Sequence, residues 1–206
     1  MAVCAGIASE SALALSPGYG KRAGYCAAYG NSASRYSFEG VYACATVASS
    51  GPTPFDANGE RSFQCVELSA RVLWAIYGIW AGPGTGVKDG AGLVDVIHHR
   101  YPSIRRGFPA PGSVPVAGDV VSLGPGGAVD AQFGHTAIVV FANQRRGRFV
   151  IIGQNFPVGR AGQQTLRVDF RGRHNGRALL NGVWTTAAWL ELRHRRPTPK
   201  SDHHLR

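Results

Sequence analysis

The chain has 206 residues, 44% of them hydrophobic and 17% charged, a balance that suits one folded domain and excludes a disordered chain. No stretch of 18 apolar residues occurs, which excludes a transmembrane helix, and 28 glycines with 12 prolines argue against a helical bundle. The net charge of +10 is uneven: residues 1–99 carry six Lys/Arg against seven Asp/Glu, residues 100–206 sixteen against five, so the second half offers a basic surface to polyanions.

In chain order, residues 1–24 are small and mildly apolar. They read as a leader or flexible segment, with Ala8, Ser9, Ala12, Ala14 and Ser16 offering A-x-A-like cleavage sites of a secretory signal, although a positively charged start is absent. Residues 25–60 read as irregular, with turn signals at Gly30-Asn31, Ser49-Ser50-Gly51-Pro52 and Asp56-Ala57-Asn58-Gly59. Cysteines stand at 4, 26, 44 and 65, and these spacings fit no zinc-ligand pattern. In an oxidising compartment Cys26 and Cys44 can join and pin the N-terminal segment, a closure worth about 3 kcal/mol. Cys4 leaves with a cleaved leader. Cys65 then remains as an odd thiol, a liability outside the cell that asks for a purpose.

From Ser62 to Tyr77 the pattern becomes helical. Val66, Ala70, Leu73 and Tyr77 recur at spacings of three and four, Glu67 and Arg71 form an i,i+4 pair on a separate, exposed stripe, and Gly78 ends the run. Cys65 falls in the first turn. A second helix is expected over Gly92 to Arg100, stopped by Pro102. After residue 110 the period shortens, and 118–123, 134–141, 148–153, 165–170 and 184–192 read as strands separated by Gly, Pro and Asn turns. Helices followed by a strand meander indicate an α+β fold with an antiparallel sheet. One domain over 25–192 and a basic, solvated tail over 193–206 complete the organisation.

Chemistry enters at Cys65. The start of a helix presents unsatisfied N–H groups and a positive dipole end, both of which favour a thiolate, and a nearby imidazole completes the activation. His135 opens a strand directly after Gly134, whose small size leaves room for a thiol or substrate. The next strand ends in Gly153-Gln154-Asn155, placing two amides beside His135 if the strands pair. Each piece has a bland reading: a buried structural cysteine, a strand-end histidine bonded to a carbonyl, turn residues before Pro157. Their joint order is what points to catalysis.

F-Q-C-V-E-L-S-A-R, A-G-D-V-V-S-L, G-H-T-A-I-V and G-Q-N-F-P, in that order, resemble the CHAP family of cysteine, histidine-dependent amidohydrolases/peptidases, and F-E-G-V-Y-A-C resembles the approach segment of its secreted actinobacterial members. The resemblance spans roughly residues 36–192. It implies a papain-like fold of the NlpC/P60-CHAP type, with N-terminal helices packed on an antiparallel sheet. It also implies a secreted or wall-associated enzyme that cleaves amide bonds of bacterial peptidoglycan, either as an N-acetylmuramoyl-L-alanine amidase or as an endopeptidase of the peptide cross-links. By that resemblance Cys65 is the nucleophile, His135 the general base and Asn155 the third member, while Gln64 and Gln154 support the site and Gln64 helps form an oxyanion hole. The sequence departs from the family where a Glu is usual two residues before the Asn: Gly153 stands there. No cofactor is implied, although some members bind calcium before the nucleophile; here Asp56, Asn58 and Glu67 are the weak candidates.

A second reading is a catalytically degenerate CHAP-like module that adheres to anionic cell-envelope polymers through arginines such as Arg100, Arg105, Arg106, Arg145, Arg146, Arg148, Arg171 and Arg173. Nucleic acid is not an expected partner, because basic residues are not interleaved with aromatic ones.

Overall fold

The computed structural model describes residues 19–22, 24–48, 51–57, 63–110, 113–124, 133–156, 160–174, 177–180 and 187–192. Of the leader expected over 1–24, residues 1–18 and 23 lie outside these residues, as does the tail expected over 193–206.

A short helix α1 (Gly24–Ala28) leads into a hairpin of β1 (Ala33–Phe38) and β2 (Val41–Cys44), where an irregular stretch had been expected. The hairpin escapes sequence reading because β1 is half-buried at every position except the exposed Arg35 and shows no alternation. Cys26 of α1 and Cys44 of β2 form the expected disulfide. Upstream, Tyr19 packs on Tyr25 and Phe55, so residues just inside the leader boundary join the folded body.

The principal helix α2 (Cys65–Tyr77) begins at Cys65 itself. It ends as its sequence demands: Gly78 takes a left-handed conformation (φ 67°), its N–H reaches the Trp74 carbonyl, and the Ile79 N–H reaches that of Leu73. Val66, Leu68, Ala70, Val72 and Leu73 are buried. Burial extends round to Glu67 and Arg71, which corrects the exposed stripe expected for that pair: α1 and the β1–β2 hairpin cover it. The second helix α3 (Leu93–Arg100) lies within the expected range.

The sheet comprises β3 (Arg106–Gly107), β4 (Val120–Leu123), β5 (His135–Asn143), β6 (Arg148–Gly153), β7 (Gly162–His174), β8 (Arg177–Leu180) and β9 (Ala187–Leu190), in the order β3-β9-β4-β5-β6-β7-β8. Every pairing is antiparallel, as a meander requires. Alternation along the central strands divides the core. Val120, Ile138 and Ile152 pack with α2 and α3, whereas Val121, Ala137, Val139 and Ile151 gather a second cluster with Phe149, Phe156, Leu166 and Trp189. The fold is α+β, with helices on an antiparallel sheet. No helix among the described residues is long and apolar enough to cross a membrane.

Candidate active site

Cys65 is the first residue of α2 and is buried, with Gln64 before it in extended conformation (φ −81°, ψ 171°). No side chain caps the helix through Gln64. His135 is the first residue of β5, paired with Leu123 of β4. Ser69 Oγ and Thr136 Oγ1 lie 3.1 Å apart, joining α2 to β5 one helical turn beyond Cys65 and one residue beyond His135. Thr136 Oγ1 also donates to the Val121 carbonyl at 2.9 Å, which ties the same point into β4. Helix start and strand start are thus anchored at the same end of the sheet. A helix turn rises about 5.4 Å, so both side chains stand within one turn of a fixed hydrogen bond.

The imidazole of His135 is boxed in. Its ring centroid lies 4.9 Å from that of Phe156. A Cβ added at Gly153 would stand 2.7 Å from His135 Nε2 and 3.3 Å from Cε1, so the ring occupies the space a side chain at 153 would need. Behind the strand, a Cβ at Gly90 would meet the His135 carbonyl carbon at 2.6 Å. With 3% of its surface exposed, the ring is pushed down to a pKa of about 4 by burial and is neutral at pH 7. A neutral imidazole can accept a proton.

The space at Gly134 is used differently from the sequence expectation. A Cβ there would meet the Leu123 carbonyl at 2.3 Å and Ala91 Cβ at 2.7 Å, and φ is 59°. This glycine admits the chain leading to α3 against β4, rather than opening room for a thiol.

The amides that follow β6 bind α2 from beneath. Gln154 is fully buried. Its Oε1 accepts from the Cys44 N–H at 2.7 Å and from Arg71 Nη2 at 3.0 Å; its Nε2 donates to Glu67 Oε2 at 2.8 Å and to the Gln64 carbonyl at 3.1 Å. Asn155, at φ 54°, donates from Nδ2 to Gln64 Oε1 at 2.6 Å. Together the two amides hold the backbone and the side chain of the residue that precedes the thiol.

Glu67 and Arg71 form the hub of this network. Glu67 Oε1 accepts from Arg71 Nε at 2.9 Å and from the Tyr25 hydroxyl at 2.8 Å. Arg71 Nη1 donates to the carbonyls of Tyr42 and Gly20, and its guanidinium stacks 4.3 Å from the Tyr25 ring centre. Burial, reinforced by Glu67, pushes the Tyr25 phenol far up, so it remains a donor. Of the calcium candidates, Glu67 has both oxygens engaged in these bonds, Asp56 accepts from the Thr53 N–H at 2.6 Å, and Asn58 lies outside the described residues. Among the expected polyanion-binding arginines, Arg105 pairs with Glu191 and Arg106 with Asp95. Sequence reading missed Tyr25 and Phe156, and gave Gln154 no link to α2.

Comparison with known proteins bears on this geometry. Residues 55–155, which run from before α2 to Asn155, match the CHAP domain. The chain belongs to the CHAP family. CHAP domains are in general hydrolases of the cysteine, histidine-dependent amidohydrolase and peptidase type, and the α+β architecture is the papain-like one of such a domain. Membership suggests peptidoglycan as substrate, and the disulfide fits an extracellular protein. A search of curated proteins finds no match to the chain.

Proposed function

We propose that this CHAP domain hydrolyses amide bonds of bacterial peptidoglycan outside the cell, with Cys65 as nucleophile and His135 as general base. The observation that carries the reading is the pair of element starts: a thiol kept outside the disulfide at the first residue of α2, and a buried neutral imidazole at the first residue of β5. His135 takes the Cys65 proton as sulfur attacks the carbonyl. Helix-start N–H groups and the Gln64 amide steady the oxyanion. The imidazolium then protonates the leaving amine, and water, deprotonated by the same ring, releases the acyl group from sulfur.

The family carboxylate is replaced by Gly153, and the imidazole packs against Phe156 and occupies the space beside the 153 backbone. No metal is required by this scheme, since Glu67 and Asp56 serve internal hydrogen bonds. Both an amidase cutting between sugar and stem peptide and an endopeptidase cutting cross-links use the same steps. Basic residues outside the surface ion pairs, such as Arg145 and Arg146, would draw the enzyme to anionic wall polymers.

Mass spectrometry of fragments released from purified peptidoglycan tests the reading and names the bond. Wild type is expected to release new amine and carboxyl termini, and Cys65→Ala to release none while keeping its melting temperature. Undiminished release by folded Cys65→Ala would overturn it.

A further inference from the structure

Arg35 and Tyr36 are neighbours in β1, and in a regular strand their side chains would point to opposite faces. Here they meet. The four steps from Ala33 to Ser37 face only two from Cys44 to Tyr42 across the hairpin, so β1 bulges, and inside the bulge Ser34 Oγ accepts from the Tyr36 N–H at 3.1 Å. The bend brings the Arg35 guanidinium carbon to 5.1 Å from the Tyr36 ring centre, with Nη2 donating to the Tyr36 hydroxyl at 3.0 Å. Tyr36 is half-buried and packs on the core, so it is a fixed wall that holds a long, flexible side chain in one place.

Gln163 of β7 borders the same space, and among the described residues these three line a cavity of about 410 Å³, a size found in small-ligand sites. All three lie outside residues 55–155, so the cavity is an addition of this chain to the segment that matches the family. It is also near the candidate active site along the sheet. Gln163 follows Gly162, which pairs with Gly153, the residue whose missing side chain makes room for the His135 ring. One strand spacing of about 4.8 Å and one residue step of about 3.4 Å separate Gln163 from Gly153, less than the span of a few residues of extended peptide.

Arg35 supplies one positive charge and a planar fork of N–H donors, the complement of a carboxylate. Gln163 supplies both a donor and an acceptor, the complement of an amide. Carboxylate and amide side by side are the chemistry of a peptide with a free acid group, whereas a polyol phosphate carries no amide. We propose that the cavity formed by Arg35, Tyr36 and Gln163 is a specificity subsite that binds a free carboxylate, and the amide next to it, on the peptide of peptidoglycan. This rests on the hydrolase reading for the identity of the polymer and deepens it by naming the part of the substrate that this chain selects.

Calorimetric titration of folded Cys65→Ala protein reads binding without turnover. Three probes are compared: soluble peptidoglycan fragments with free carboxylates, the same fragments with those carboxylates amidated, and a soluble polyglycerol phosphate. Free-acid fragments should bind about tenfold more tightly than amidated ones, as a charge-assisted contact requires. Arg35→Gln in the same protein should erase that difference by weakening the free-acid complex alone, and Gln163→Ala should weaken both fragment complexes about threefold. Arg35 and Gln163 are exposed, so neither replacement disturbs the core. Equal affinity for free and amidated fragments would overturn the subsite. So would a difference that persists in Arg35→Gln, or Arg35-dependent binding of the polyglycerol phosphate as tight as that of the free-acid fragments. Hydrolysis by wild type is followed in parallel: absence of cleavage would end the hydrolase reading, whereas the binding pattern decides the subsite by itself.

Discussion

Gly153→Ala is the smallest change that probes how the imidazole is held. Gly153 closes β6 with ordinary extended backbone, so alanine adds no backbone strain, and any effect comes from space. The new methyl carbon would lie 2.7 Å from His135 Nε2 and 3.3 Å from Cε1, against an ordinary contact of about 3.5–4.0 Å. Relief requires the ring to move by roughly 1 Å at its tip. Phe156 packs against the ring, 4.9 Å away centre to centre, and with only 3% of the residue exposed there is little open space to move into. Overpacking of this kind costs about 1–3 kcal/mol, and a 1 Å misplacement of a reacting group costs on the order of 10²-fold in rate. The expected outcome is a urea midpoint lowered to match that cost and kcat/KM on peptidoglycan fragments reduced about 10²-fold. Gly153→Glu, which restores the residue type usual in the family, should fare no better, because its Cβ meets the same atoms. Wild-type stability and rate in Gly153→Ala would refute the claim that the His135 ring depends on the space left open at Gly153.

Arg71→Leu leaves Glu67 buried without its partner and should destabilise the fold by about 3–5 kcal/mol in denaturant titration, far above the cost of a surface pair; a loss below 1 kcal/mol would contradict the hub role. Replacing Cys26 and Cys44 together by serine should cost about 3 kcal/mol, and should slow hydrolysis as well, because the Cys44 N–H and the Tyr42 carbonyl feed the network under α2. His135 makes stability pH-dependent in a defined direction. Its pKa falls from 6.5 to about 4 on folding, so the unfolded chain binds the extra proton between those values, and stability is complete above pH 6.5 and lost as pH falls toward 4. At about 1.4 kcal/mol per pH unit the loss approaches 3 kcal/mol. Urea titrations of wild type and His135→Gln across that window should differ by this slope; parallel curves would remove the buried neutral imidazole from the account.

Local pattern carried much of this architecture. The 3.6-residue spacing of Val66, Ala70 and Leu73 and the stop at Gly78 mark α2, and runs of β-branched residues mark the central strands. Cys26 and Cys44 were legible because their surroundings and spacing left few alternatives. The hairpin was not legible, since its half-buried strand lacks a period of two. Burial of Glu67 and Arg71 was misread for a different reason. An i,i+4 pair is equally compatible with either face of a helix, and only α1 and the hairpin, folded over from earlier in the chain, decide which. Gln154 makes bonds across 83 to 110 residues of sequence, so no window around it could reveal that a turn amide anchors α2. Gly153 shows the limit of motif comparison. Its identity signals a missing carboxylate, but only the position of the ring shows that the vacated space is filled by the His135 imidazole.

Activation of the Cys65 thiol by the His135 ring is tested most directly by one rate comparison. Alkylation of Cys65 by iodoacetamide at pH 7 is followed by mass spectrometry of the labelled peptide in wild type and in His135→Ala. Removing a positioned general base should slow the reaction by about 10²-fold and move its pH dependence up toward that of an unassisted thiol, near 8.5. Equal rates and superimposable pH profiles in the two folded proteins would contradict it.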